Sequence, residues 1–114
     1  MAVNFDTTTP RALLTAFKEC IDRGHVVTWA YDTEGDFFHT PDQWRGKAWL
    51  RPTIFEGRLV FNIIGRKNET MPLAVYAVYH GRFIESMITH CRTRFTLASA
   101  TPTPTNSDPV QIAA

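Results

Sequence analysis

Apolar residues recur at intervals of three and four in two segments of the chain, which is the pattern of an amphipathic helix. The first segment follows Thr9-Pro10, a capping residue and a proline that is tolerated at the first helical position, and it ends before Gly24. The second segment follows Pro72 and runs to Cys91. Its apolar and aromatic stripe consists of Tyr76, Tyr79, His80, Phe83, Ile84, Met87, Ile88 and Cys91.

The second segment has a rival interpretation, in which residues 73–79 form a strand and a shorter helix follows. Gly81 lies in the middle of the segment, and glycine costs about 1 kcal/mol relative to alanine inside a helix. The apolar stripe nevertheless continues without a break across this glycine. The pattern therefore favours one continuous helix.

Four segments rich in β-branched and aromatic residues are predicted to be strands, namely 25–31, 47–55, 58–65 and 94–100. Glu56-Gly57 separates the second strand from the third, which indicates a hairpin. Pro52 lacks a backbone N–H, so it is expected on a sheet edge or at a bulge. Residues 1–8 are interpreted as a short polar arm. Residues 32–45 are interpreted as a loop that is long enough to suggest a role.

This order of elements, α-β-β-β-α-β, predicts an α+β fold in which an antiparallel sheet carries both helices packed on one face. A chain of 114 residues fits one domain, and we expect that domain to span residues 1–100. Residues 101–114 are rich in Pro and Thr and have few apolar side chains to bury. They are therefore predicted to be a disordered tail.

The charge balance narrows the classes of partner. Twelve Lys and Arg oppose eleven Asp and Glu, so the formal net charge is +1. A dedicated nucleic-acid binder usually has a clear basic excess, and a polybasic membrane anchor needs a basic cluster. The N-terminal residues have no basic and apolar signal pattern, and no apolar stretch approaches the ~20 residues of a membrane span. We therefore expect a cytoplasmic protein that binds neither membranes nor nucleic acid.

Motifs for metal binding or catalysis are weak. Asp32, Glu34 and Asp36 alternate like the start of a calcium-binding EF-hand loop, but the required glycine is replaced by Phe37 and the required glutamate by Gln43. Cysteine and histidine spacing does not match a structural zinc site, and the two cysteines are too few for a disulfide scaffold. Nucleophile and phosphate-binding motifs are absent from the sequence. We predict no cofactor and no metal.

The most suggestive pattern is aromatic and cationic. In the strand 47–55, alternate residues place Ala48, Leu50 and Ile54 on one face, which is expected to join the core. The opposite face has Lys47, Trp49, Arg51, Thr53 and Phe55. Trp, Tyr and Arg are enriched at the centres of protein interfaces. Three explanations stay open for this surface: Arg51 stacking on Trp49 on an open sheet face, a protein interface, or a ligand pocket.

These observations favour a small non-enzymatic interaction module that forms a homodimer through the aromatic sheet face. The alternative is a small-molecule-binding protein, or a minor enzyme, with a pocket under the loop 32–45. In that case Asp36, His39 and Arg51 would be its polar groups. A weaker alternative is a polar pocket between the second helix and the sheet, where His80 and Arg82 flank Gly81. The complete set of candidate binding residues is Trp29, Tyr31, Asp36, His39, Trp44, Trp49, Arg51, His80 and Arg82.

Overall fold

The computed structural model describes residues 2–113, which form an antiparallel sheet and two long helices. The elements in chain order are β1 (Val3–Asp6), α1 (Pro10–Asp22), β2 (Trp29–Tyr31), β3 (Phe37–His39), β4 (Ala48–Phe55), β5 (Arg58–Gly65), α2 (Leu73–Cys91) and β6 (Leu97–Ala100). A short 3₁₀ turn, Arg92–Arg94, joins α2 to β6. The interpretation of residues 73–91 as a single helix is confirmed.

Six strands form the sheet in the order β2-β3-β4-β5-β1-β6, and every neighbouring pair among residues 2–113 is antiparallel. Both helices pack on one face of this sheet, so the predicted α+β class is confirmed. Phe83 of α2 lies at the centre of the packing. Its ring centroid is 4.7 Å from that of Phe61, 5.0 Å from Trp29 and 5.4 Å from Phe17.

The N-terminal arm was predicted wrongly, because residues 3–6 form β1 in the interior of the sheet. Val3 and Phe5 are fully buried beneath the helices, while Asn4 and Asp6 point to the other side. Val3 is paired with Phe61 of β5 on one side and with Ala100 of β6 on the other. Four alternating residues are too short a signal for a confident strand, and this strand is held by partners far away in sequence.

The predicted strand 25–31 is shorter than expected, and the loop after it contains a further strand. The backbone N–H groups of His25 and Val26 donate to the carbonyl of Cys20, so these residues close the end of α1. A tight turn then reverses the chain between β2 and β3. In this turn Asp32 Oδ1 accepts from the N–H groups of Glu34 and Asp36, both at 3.0 Å.

Pro52 lies on an exposed edge of the sheet, as predicted. The short strand β3 is paired with β4 only at Phe37 and Leu50. Beyond that point β4 has a strand partner on one side alone, the side of β5. The missing N–H of Pro52 therefore removes no hydrogen bond from the sheet.

Residues 101–113 differ from the prediction of a disordered tail, because they pack against the end of β5. Strand β1 reaches only as far as Phe61, so the N–H of Ile63 lacks a partner from it. Asp108 Oδ1 accepts from this N–H at 3.2 Å, and the Met71 N–H donates to Gln111 O at 2.7 Å. Buried backbone groups need partners, and this requirement, together with the packing of Val110 and Ile112 against the core, explains the ordered segment.

Candidate functional site

The side of the sheet opposite the helices carries the surface predicted from the alternation in β4, and we call it the open face. Ala48 and Leu50 are buried in the core, whereas Trp49 and Arg51 lie on the other side, as expected. Strand pairing arranges the open face in four rows. The rows are Trp49 with Ile64; Arg51 with Asn62; Thr53, Val60, Asn4 and Ser99; and Phe55, Arg58, Asp6 and Leu97.

The open face has more apolar surface than a solvated sheet needs. Phe55 is 43% exposed and Leu97 is 54% exposed, although an ordinary outer face alternates to polar residues. Val60 is buried, but it lies outside the core beneath the helices. Phe55 and Leu97 were not among the candidate binding residues. Phe55 could have been included because it shares the alternation of Trp49, whereas Leu97 needed the pairing of β6 with β1.

Asn4 gives the open face an unusual polar centre. Its Nδ2 donates to Asp6 Oδ1 at 2.8 Å, which fixes the orientation of the amide. The Oδ1 atom is buried and accepts no hydrogen bond from any residue in the described range 2–113. A buried acceptor without a donor costs about 1–3 kcal/mol, so this atom is a position where a further donor would stabilise the protein.

Arg51 and Asp36 meet at one end of the open face. Arg51 Nε and Nη2 donate to the two carboxylate oxygens of Asp36 at 3.0 and 2.8 Å, which is a bidentate pair. Asp36 is buried, and its hydrogen bonds and charge raise the pKa of Arg51. Glu34 lies 3.9 Å from the same guanidinium. The pair fixes the Arg51 guanidinium at this end of the open face.

A shallow depression of about 420 Å³ lies beside this pair, next to the β2–β3 turn. It has three acidic side chains at its rim and one guanidinium. Its lining residues are Asp32, Thr33, Glu34, Asp36, Trp49, Arg51, Ile64 and Gly65. The predicted pocket under the loop 32–45 therefore has a counterpart, built from Asp36 and Arg51 but without His39.

His39 lies on the helix side of the sheet, where it is buried and hydrogen-bonded at both ring nitrogens. Its Nδ1 is 2.6 Å from the carbonyl oxygen of Thr28, so Nδ1 must be the donor. Its Nε2 is then free to accept from Arg82 Nη1 at 3.2 Å. The ring also stacks on Trp29 with centroids 4.5 Å apart. Burial, with a smaller contribution from the Arg82 charge, lowers the pKa of His39.

Trp44 and Tyr79 complete the cluster around His39. Tyr79 donates its hydroxyl proton to Trp44 O at 2.8 Å and accepts from the His39 N–H at 3.2 Å. The Arg82 guanidinium lies 5.5 Å from the Trp44 ring centroid. These contacts fix the long loop onto α2. Because every polar group of His39 is engaged, the cluster stabilises the fold and offers no acid or base to a substrate.

The remaining candidates lie apart from both groups. Tyr31 points to the helix side, where its hydroxyl donates to Asp22 Oδ1 at 2.7 Å. His80 is buried and stacks on Tyr76, and its Nδ1 lies 2.6 Å from the Tyr76 carbonyl oxygen. The nine candidate binding residues therefore lie on both sides of the sheet. Only Asp36, Trp49 and Arg51 share the open face.

Acid is expected to destabilise the protein through its two buried histidines. Burial lowers the pKa of both His39 and His80 below the value of about 6.5 that an unfolded chain gives. The unfolded state therefore binds protons first, and the free energy of unfolding falls as the pH drops below about 6.5. Urea unfolding at pH 7.5 and 5.5 measures the loss. His39→Gln should reduce it, and the exposed His90→Gln should not. An equal loss in all three proteins would assign it to other groups.

A larger groove of about 830 Å³ lies between the first half of α1 and the β4–β5 turn. It has an apolar floor that includes Ala12, Ala16 and Ile54, and a rim that includes Arg11 and Arg94. No acidic residue lies in the first turn of α1, and Thr9 makes no side-chain capping bond there. No local pattern predicts this groove, since it joins elements more than thirty residues apart in the chain.

No family model, curated protein or solved structure matches the chain. Among the described residues, no helix is long and apolar enough to cross a membrane. Within residues 2–113 there is also no group of three or more His, Cys, Asp or Glu side chains placed to hold a metal ion.

Proposed function

We propose that the protein is a non-enzymatic interaction module that forms a homodimer through the open face. The observation that carries the proposal is the arrangement of apolar side chains at both ends of a sheet face that neither helix covers. Trp49 lies in the first row and Phe55 with Leu97 in the last. Aromatic side chains on an uncovered face are typical anchors of protein interfaces.

The rows of the open face suit a two-fold axis that lies in the interface and runs across the strands. Such an axis places the first row of one copy on the fourth row of the other and keeps each strand opposite itself, so Trp49 of each copy would pack on Phe55 of the other. The same contact is then made twice, once in each direction across the axis, as a symmetric dimer requires. Leu97 lies in the same fourth row, three strands or about 14 Å from Phe55, at the β6 edge of the interface. The polar third row, which includes Thr53, Asn4 and Ser99, would lie near the axis.

The size of the open face suits a weak dimer. The rows are at most four strands wide, and strands spaced about 4.8 Å apart with six residues of about 3.3 Å between the outer rows give roughly 400 Å² per copy. The total of roughly 800 Å² lies below the range of stable interfaces, about 1,200–2,000 Å². We therefore expect a reversible dimer that dissociates on dilution.

The decisive experiment compares two leucines of similar exposure on opposite sides of the molecule. Leu97 is 54% exposed on the open face, and Leu73 is 60% exposed at the start of α2. Leu97→Glu places a charge at the edge of a symmetric interface twice and should weaken dimerisation by roughly 10-fold. Leu73→Glu should leave it unchanged. Light scattering over a dilution series measures both.

Three results would contradict the proposal: a monomeric wild-type protein, a Leu97→Glu dimer of unchanged affinity, or an equal loss in the Leu73→Glu control. Circular dichroism of each variant shows that the fold is retained. Trp49→Glu provides an independent test at the other end of the open face, and it should give a folded monomer.

A second proposal is that the depression beside Asp36, Trp49 and Arg51 binds a small organic cation. Three carboxylates surround a single guanidinium there, and the Trp49 ring offers a face to a positive group. Native mass spectrometry distinguishes the two proposals, since a monomer with added mass favours the ligand and a bare dimer favours self-association.

We also propose that the protein is cytoplasmic. This location fits its two cysteines, which form no disulfide.

A further inference from the structure

The two cysteines of the chain lie against each other, although seventy residues separate them in the sequence. Cys20 occupies the last turn of α1, and Cys91 is the last residue of α2. Helices α1 and α2 contact each other there, and the Cys20 thiol lies near enough to raise the pKa of Cys91. Both side chains belong to, or border, the core beneath the sheet.

The two thiols differ in their access to solvent. Cys91 is buried, and this burial, with a smaller contribution from Cys20, raises its pKa to about 11. Cys20 is half-buried, so a small oxidant can reach it. The reactive species in thiol oxidation is the thiolate, and access to it decides which sulfur reacts first. Cys20 is therefore the thiol that an oxidant reaches first, and the buried Cys91 lies near enough to react with the oxidised Cys20.

We propose that Cys20 and Cys91 are an oxidation site at which a peroxide produces an intramolecular disulfide. The Cys20 thiolate attacks one oxygen of the peroxide, the O–O bond breaks, and the sulfenic acid Cys20–SOH forms with release of hydroxide. Cys91 sulfur then attacks Cys20 sulfur. The S–S bond forms, the S–O bond breaks, and the hydroxyl leaves with the Cys91 proton as water. In total two thiols and one hydrogen peroxide give one disulfide and two waters.

The disulfide would link the C-terminal ends of the two helices and close a large loop of the chain. Cross-linking distant residues stabilises a protein mainly by restricting the unfolded state, and the effect grows with loop length. We expect the Tm of the oxidised protein to be higher by about 10 °C, and dithiothreitol to reverse the change. The high pKa of Cys91 should make the second step slow at neutral pH and faster in alkali.

The test uses hydrogen peroxide on the full chain at low protein concentration, followed by unfolding and N-ethylmaleimide. We expect a monomer that has lost two hydrogen atoms and takes up no maleimide, whereas the untreated protein takes up two. Peptide mapping should recover Cys20 joined to Cys91. Two maleimide adducts after oxidation, disulfides only between copies, or oxidation to sulfonic acid without a cross-link would each overturn the proposal.

Two variants test the assigned order of reaction. In Cys91→Ala the sulfenic acid at Cys20 has no second thiol, so dimedone, a reagent specific for sulfenic acids, should label it. In Cys20→Ala the buried Cys91 should remain unlabelled while the protein is folded. The reverse pattern of labelling would overturn the assignment of Cys20 as the first site.

Discussion

Phe83→Ala is expected to lower the free energy of unfolding by about 3–5 kcal/mol, the largest effect of any single substitution considered for this protein. Phe83 is fully buried, and its ring contacts the rings of Phe5, Phe17, Trp29, Phe37 and Phe61. These rings come from α1 and from four strands, so no single neighbour can move to fill the cavity. Since a small domain is stable by only about 5–15 kcal/mol, the variant should be close to unfolding at 37 °C.

Urea unfolding followed by tryptophan fluorescence measures this loss, because Trp29 packs directly on Phe83. Phe55→Ala is the matched control, since its ring is 43% exposed and lies outside the core. We expect the control to lose less than about 1 kcal/mol. Equal losses in both variants would show that Phe83 is not the centre of the packing.

Asp108→Ala is expected to lower the free energy of unfolding by about 2–3 kcal/mol, because its carboxylate accepts several backbone and side-chain hydrogen bonds. Asp108 Oδ1 accepts from the Ile63 N–H, and Oδ2 accepts from the N–H and hydroxyl of Thr105 at 2.8 and 3.0 Å. The alanine variant leaves the Ile63 N–H buried without an acceptor. It also releases residues 101–113 from the end of β5.

Thermal unfolding measures the effect of Asp108→Ala, with a Tm expected to fall by about 10 °C. Asp108→Asn keeps one acceptor oxygen and should lose about half as much. Asp42→Ala, in the long loop, is a control for the loss of a carboxylate elsewhere. A Tm unchanged by Asp108→Ala would support the prediction from composition, that these residues are a disordered tail in solution.

The helices and the long hairpin of this protein could be predicted because their signals are local. Leu13 and Phe17 in α1, and Tyr79, Phe83 and Met87 in α2, repeat at the spacing of one helix face, and all five are buried. The alternation in β4 likewise separated the core residues from the open face. Each of these patterns is fixed by the geometry of a single element, so a single segment of sequence contains it.

The location of the candidate site could be predicted only in part. Trp29 and Trp49 look alike in sequence, since each is an aromatic residue in a segment rich in β-branched residues. Trp29 packs on Phe83, whereas Trp49 lies on the open face. Which face of a short strand is buried depends on register, and a shift by one residue reverses it. The β2 segment is too short to show its own alternation.

The structure differs from the expectations for residues 1–8 and for residues 101–113 for a common reason. Each satisfies backbone hydrogen bonds of β5, one along its first half and the other beyond Phe61. The first segment is too short for its alternation to be a reliable sign of a strand, and the second is rich in Pro and Thr. Their stabilisation comes from donors and acceptors on a distant strand, and sequence patterns carry no information about those partners.

For this protein, the sequence by itself determined which segments are helices, where the hairpin turns, and which residues of β4 face the core. Tertiary structure alone decided that β1 joins the interior of the sheet, that His39 is buried away from Asp36, and that Cys20 meets Cys91. The physical reason is the range of the interactions. Helix and strand periodicity arise within a few residues, whereas burial, pairing and the meeting of two side chains depend on how distant segments pack.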